Sequence, residues 1–155
     1  MLVYEIPGRE TLRISTVALD YNGTIARDGI LLPGAAARIR QLRALAEVLV
    51  LTADTYGSVA RQCAGLDVSV RTFPQSGAAA CKEQIVRERG GGVAAIGNGF
   101  NDILMLDAAA LGIAVMEREG MCAALAAHAD VLVTSAEDAL DLLLLPGRLR
   151  ATLRT

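Results

Sequence analysis

Short apolar runs alternate along the chain with longer stretches rich in Ala, Leu and Arg. The runs fall at 16–20 (TVALD), 47–52 (EVLVLT), 67–71 (DVSVR), 93–97 (VAAIG), 111–115 (LGIAV) and 130–133 (DVLV). Several are apolar at successive positions, as in strands covered on both faces. The intervening stretches predict helices at 34–46, 56–64, 76–89, 101–109, 120–127 and 136–144. The first begins behind Pro33 and lines Ala35, Ile39, Leu42 and Leu45 along one face. "RERGGG" (Arg87 to Gly92) reads as a helix stop and loop. This alternation predicts an α/β fold with a doubly wound parallel sheet. The start departs from it: "LVYEIPGRETLRIS" reads as two short strands around the turn pair Pro7-Gly8, a small hairpin at an edge of the sheet. The end, "PGRLRATLRT" (Pro146 to Thr155), reads as a basic tail with weak helical character.

A length of 155 residues suggests one domain, with hairpin 1–15, core 16–145 and tail 146–155. Hydrophobic residues make up 53% and aromatics 3%, so the core should be aliphatic. With a net charge of -2 and no basic stripe interleaved with aromatics, nucleic acid is not an expected partner. The apolar runs fall short of the ~20 residues that a membrane span needs, so no membrane partner is expected either. Glu5, Arg9, Glu10 and Arg13 break up any signal-peptide layout. Cys63, Cys81 and Cys122 show no metal-site spacing and read as reduced thiols of a cytoplasmic protein.

In such sheets ligands bind beyond the carboxyl ends of the strands, near a topological switch point. Four predicted elements carry polar residues there: Asp20-Tyr21-Asn22-Gly23-Thr24, "LTAD" with Thr52 and Asp54, the helix bearing Lys82, and "GNGFND" with Asn98, Asn101 and Asp102. Singly each is weak, since a strand-end Asp is commonly a cap and a helical Lys commonly solvated. Together they allow phosphoryl chemistry. Asp20 can attack a phosphoryl group. Asp20 and Asp102 could hold Mg²⁺, with the Asn22 carbonyl as a further ligand. Thr52 and backbone N–H groups at Tyr21 to Gly23 could bind phosphate, and Lys82 could neutralise it. Glycines at 23, 97 and 99 permit close backbone approach.

"DYNGT" (20–24), "LTAD" (51–54), Lys82 in "KEQIV", and "IGNGFND" (96–102) followed by "LGIAV" (111–115) resemble the haloacid dehalogenase (HAD) superfamily, and within it the soluble, P-type-ATPase-like phosphatases. The resemblance runs from about Val17 to about Leu145. It implies a Rossmann-like core and a Mg²⁺-dependent phosphohydrolase acting through an aspartyl-phosphate on Asp20. It implies catalytic roles for Asp20, Asn22, Thr52 and Lys82. Phosphate contacts are implied from Tyr21, Asn22, Gly23, Thr52, Ala53 and Lys82. The implied metal ligands are Asp20, Asn22, Asn98 and Asp102, with support from Thr24, Asp54, Gly99 and Asn101.

Two positions depart from the common phosphatase pattern. Asn22 stands where a general acid/base Asp is usual, and Asn98 where a ligating Asp is usual. Asn22 cannot shuttle a proton, which should penalise alcohol leaving groups most. Both amides precede glycine, a context prone to deamidation. Only 27 residues separate Thr24 from Thr52, and neither this gap nor Thr52 to Lys82 has room for a cap domain. Specificity at an open site would then come from a neighbouring subunit, from a large substrate, or from little selectivity at all; the expected partners are a small phosphorylated substrate and further copies of the chain in a homo-oligomer. Arg27 and Asp28 lie where a loop would cover the site, "EREG" (117–120) reads as a loop at its rim, and His128 reads as a surface residue. Two other functions fit the same residues: a HAD scaffold with a binding or regulatory role, and a phosphotransferase.

Overall fold

The computed structural model describes residues 1–54 and 57–155. Its centre is a parallel sheet of β3 (Thr16–Asp20), β6 (Glu47–Thr52), β7 (Ser69–Thr72), β8 (Val93–Gly97), β9 (Leu111–Val115) and β10 (Val131–Val133). The strand order is β10-β9-β8-β3-β6-β7. Every residue of β3, β8 and β9 is buried. Alternate side chains feed two cores. Val17, Leu19, Val50, Ile96 and Ile113 pack on one face with α1 (Pro33–Leu42), α2 (Val59–Cys63), α5 (Ala136–Leu144) and α6 (Pro146–Leu153). Ala18, Leu49, Leu51, Ala95 and Ala114 pack on the other with α3 (Ala78–Glu88) and α4 (Ile103–Ala108). The sheet is thus doubly wound, as its unbroken apolar strands predict.

The differences lie at the periphery. The N-terminal strands β1 (Leu2–Tyr4) and β2 (Leu12–Ile14) pair antiparallel, but as a separate two-stranded sheet rather than on an edge of the main one. Its turn runs through Pro7 and Gly8, where Gly8 has φ +81° and Arg9 N–H donates to Ile6 O at 3.1 Å. Tyr4 Oη donates to Leu143 O at 2.7 Å, tying the hairpin to α5. The basic tail is the helix α6, because Leu149 and Leu153 reach the core. The helix expected at 34–46 ends at Leu42, and that expected at 120–127 is a 3-10 turn, Ala123–His128. The helix expected at 56–64 is seen from Val59 to Cys63, and its first predicted residue lies outside the described ones. A second hairpin, β4 (Ala26–Arg27) and β5 (Ile30–Leu31), follows β3 directly. With α1 and β6 it fills the stretch between Thr24 and Thr52, and there is no cap domain.

Helices α1 and α5 are pinned by one bidentate ion pair. Arg38 Nε donates to Asp141 Oδ1 at 2.7 Å and Nη2 to Oδ2 at 3.2 Å. This hydrogen bonding holds the Asp141 carboxyl below its ordinary range, against the opposing effect of burial. A depressed folded-state pKa contributes stability above the unfolded pKa and loses it as pH falls. Asp141→Asn should therefore cost about 1–2 kcal/mol at pH 7 in urea unfolding, with the cost shrinking below about pH 4. A cost unchanged down to pH 3 would show that the pair's charge is not its contribution.

Candidate active site

From β3 the chain moves outward to β6 and β7, then crosses back to place β8 on the other side of β3. The carboxyl ends of β3 and β8 therefore flank a switch point, where a crevice opens. Asp20 ends β3, Thr52 ends β6 and Gly97 ends β8. Helix α3 delivers Lys82 to the same place, and the 3-10 turn Phe100–Asp102 delivers Asp102. Lys82, Asp102 and Thr24 are wholly buried, while Asp20 keeps 7% of its surface exposed. Of this buried group, Asp20 alone retains an opening to solvent, as an attacking group requires.

Lys82 is the hub. Its ammonium donates to Asp20 Oδ1 and to Asp102 Oδ1, each at 2.6 Å. Burial lowers the Lys82 pKa, but the two carboxylates outweigh it and hold the ammonium above its ordinary value. Asp102 is pushed up to about 6, first by burial and then by Asp20, against the pull of Lys82. Its second oxygen, Oδ2, accepts the N–H groups of Asn98 at 3.0 Å and Gly99 at 2.9 Å. Asp102 thus fixes both the ammonium and the loop after β8. Gly97 is required for this, since a Cβ there would stand 2.7 Å from that of Asp102.

Thr24 stands between Asn98 and Asp20. Its hydroxyl lies 2.9 Å from Asp20 Oδ2 and 3.1 Å from Asn98 Oδ1. The single proton goes to the charged carboxylate. Asn98 Nδ2 donates to Gly120 O at 3.0 Å, which leaves Asn98 Oδ1 with acceptor capacity. Asn22 Oδ1 is buried without a hydrogen-bond partner among the described residues. Beside Asp20 there are therefore two amide oxygens free to accept, a hard-donor set that fits a divalent cation such as Mg²⁺. Asp102 Oδ2 carries two N–H bonds and Oδ1 only the ammonium, so Asp102 orients its neighbours and, like Asp20, keeps acceptor capacity toward a cation. Thr52 Oγ1 accepts Asp54 N–H at 2.9 Å, leaving the hydroxyl proton for an acceptor.

Other predicted site residues are turned elsewhere. Gly23 N–H donates to Ala26 O at 2.9 Å, so it is not a phosphate donor; the bridge it helps to form leaves the Asn22 amide unused. The glycine is needed instead for φ +77°. Asp54 Oδ1 accepts the N–H groups of Ser58 at 3.1 Å and Val59 at 3.3 Å and so caps α2 rather than lining the site. Asn101 is exposed, and its Oδ1 lies over the Cα of Gly99, where a Cβ would stand 2.9 Å from it. Tyr21 Oη donates to Gly29 O at 3.1 Å, and burial raises its pKa to about 12, so its side chain is structural. Ala53 is half-buried. His128 pairs with Asp107 at 2.8 Å on the surface. The N–H groups of Gly23 and Gly99 are both engaged, which opposes the ring closure that deamidation of Asn22 or Asn98 would need.

The rim is assembled across the chain. Asp28 N–H donates to Glu119 Oε1 at 2.9 Å, Arg27 Nη2 lies 3.9 Å from Glu117, and Ala136 N–H donates to Glu117 Oε1 at 2.9 Å. The loop after β9 therefore straps hairpin β4–β5 to the start of α5. No spacing in the sequence announces these bonds, which span up to 91 residues.

The architecture matches that of 3-deoxy-D-manno-octulosonate 8-phosphate phosphatase from Moraxella catarrhalis, crystallised with magnesium ion, phosphate ion and KDO (TM-score 0.72, 17% identity, covering 91% of this chain and 94% of that one). The chain has the haloacid dehalogenase fold. A second HAD-fold structure, the cobalt-bound deoxy-D-mannose-octulosonate 8-phosphate phosphatase from Haemophilus influenzae, matches with TM-score 0.72 at 15% identity over 92% of this chain and 94% of that one. By sequence, the chain belongs to one family with an uncharacterized protein of Methanocaldococcus jannaschii, 48% identical over 62 residues that span 40% of this chain and 67% of that protein. No protein-family model matches it.

The raised pKa of Asp102 has a signed consequence. The folded, metal-free protein holds a proton on Asp102 that the unfolded chain releases near pH 4. Its contribution to stability therefore falls as pH rises from about 4 to about 6. In EDTA, wild type measured against Asp102→Asn should lose ground across this window in urea unfolding. A difference that is flat with pH would contradict the shift.

Proposed function

We propose that the protein is a Mg²⁺-dependent phosphatase that acts through an aspartyl-phosphate on Asp20. The observation that carries this reading is the Asp20–Lys82–Asp102 cluster at the switch point, with both ammonium contacts at 2.6 Å. A phosphoryl group is anionic, and so is its nucleophile. The buried Lys82 ammonium offsets both charges, at a position where solvent does not screen it. Thr24 orients Asp20, leaving the nucleophile's lone pairs directed by two donors. Thr52 and the Asn22 N–H are the donors for phosphate oxygens. The phosphatases from Moraxella and Haemophilus, with a small phosphorylated substrate and bound metal ions, support the reaction class.

Asp20, Asn22 and Asn98 would hold Mg²⁺, with Asp102 anchoring the loop that carries Asn98. Bound there, the cation supplies Lewis-acid stabilisation of phosphoryl oxygens. The chain's own residues divide the rest. Asp20 forms the new bond to phosphorus, Lys82 stabilises the charge that gathers, and Asn22 positions without donating a proton. The leaving group must therefore depart with little acid assistance, which favours acyl and aryl phosphates over alkyl ones. The likeness of "GNGFND" to P-type pump phosphorylation domains is in keeping with an acyl-phosphate intermediate.

With acetyl phosphate and p-nitrophenyl phosphate, the wild type should release phosphate in Mg²⁺ and not in EDTA. Asp20→Asn should abolish release. Asn22→Asp should raise hydrolysis of alkyl phosphates by roughly 10²-fold and of aryl phosphates much less. No release from either substrate at high enzyme concentration would leave the binding-scaffold reading. Phosphate appearing on an added alcohol in preference to water would make the protein a phosphotransferase.

A further inference from the structure

With Asn22 unable to move protons, a phosphoenzyme on Asp20 has no adjacent base for its hydrolysis. The rim of the crevice carries carboxylates of its own, and one of them comes from the loop at 117–120. Glu119 lies in the loop after β9. Its Oε1 accepts Asp28 N–H at 2.9 Å, which aims the carboxylate at the hairpin covering the site. Its Oε2 and the Asn98 carboxamide carbon both stand 2.9 Å from the point that a Cβ on Gly23 would occupy. Asn98 Oδ1 in turn is 3.1 Å from the Thr24 hydroxyl, itself 2.9 Å from Asp20 Oδ2. Glu119 Oε2 thus stands beside the Asn98 carboxamide and against Gly23, the glycine that follows Asn22, on the rim of the crevice into which Asp20 opens. The side chain is exposed, and with no cap domain water reaches it.

We propose that Glu119 is the general base for hydrolysis of the Asp20 phosphoenzyme. The inference rests on the phosphatase reading above. Water attacks phosphorus in line, from the side opposite Asp20, and so several ångström beyond the Asp20 carboxylate. A base must stand within hydrogen-bond reach of that water. Ionised, a carboxylate only accepts, so Glu119 suits the second half-reaction and not protonation of a leaving group in the first. In the step, Glu119 Oε2 takes a proton from water as the water oxygen bonds to phosphorus. The bond from phosphorus to the Asp20 oxygen breaks, and its electron pair returns to the carboxylate. Phosphate leaves, and Glu119 releases its proton to solvent. Asp28 is the competing carboxylate, on the hairpin turn that Glu119 holds.

The test separates the two half-reactions. Full-length protein in Mg²⁺ is mixed with acetyl phosphate, quenched in acid at successive times, and the phosphoenzyme measured by intact-protein mass. Glu119→Gln keeps a side-chain oxygen for Asp28 N–H, so the rim persists while the base is lost. The expected result is phosphoenzyme formation at the wild-type rate and decay slower by roughly 10²-fold, so that the phosphoenzyme accumulates. Three results would overturn the proposal: decay at the wild-type rate, slowing of formation and decay together, or slow decay in Asp28→Asn with normal decay in Glu119→Gln. Phosphate release with no phosphoenzyme in wild type or in any variant would sink the aspartyl-phosphate reading itself, and the role of Glu119 with it.

Discussion

The fold is arranged around a single cation enclosed by protein. Taking an ammonium and two carboxylates out of water costs several kcal/mol for each ion, recovered only when contacts are short and the remaining lone pairs are satisfied. The Lys82 cluster meets that condition by drawing on three elements at once. Asp20 comes from the end of β3, Asp102 from the turn after β8, and Lys82 from α3, which must cross the sheet to reach both. Removing Lys82 leaves two facing carboxylates uncompensated, whereas removing either carboxylate leaves a one-to-one pair. The parallel order β8-β3-β6 follows, because it alone puts the ends of β3 and β8 side by side with Thr52 adjacent.

Much of this was legible in the sequence, for a physical reason. Strands β3, β6, β8 and β9 coincide with their predicted spans, because a strand buried on both faces has no room for polar residues and announces itself. Asp20, Lys82 and Asp102 stand out for the opposite reason: charged residues beside such runs need partners. The periphery was less legible. Hairpin β4–β5 has two-residue strands, too short for any alternation. Helix α6 hides because only Leu149 and Leu153 of its residues are buried, and its arginines dominate the composition. Asp54 misleads because its position after Thr52 is equally that of a cap for α2, and its bonds to Ser58 and Val59 decide in favour of the cap. Glu119 was legible only as part of the rim loop 117–120, since the Asp28 N–H that holds it lies 91 residues away.

The two amides that depart from the phosphatase pattern are physically unequal. At position 98 the amide is built in. Nδ2 donates to Gly120 O, and this bond sets the orientation of the side chain. A carboxylate there would set an acceptor against the Gly120 carbonyl and add a third negative charge around one ammonium. At position 22 no described residue holds the amide as an amide, since Oδ1 has no partner among them and a carboxylate oxygen would fit the same place. The asymmetry locates the constraint. Asn98 is bound up with the loop that carries Glu119, through Gly120, whereas Asn22 answers only to what occupies the crevice. In the reaction proposed above, an amide at 22 and a carboxylate at 119 put proton transfer at the attacking water rather than at the leaving group.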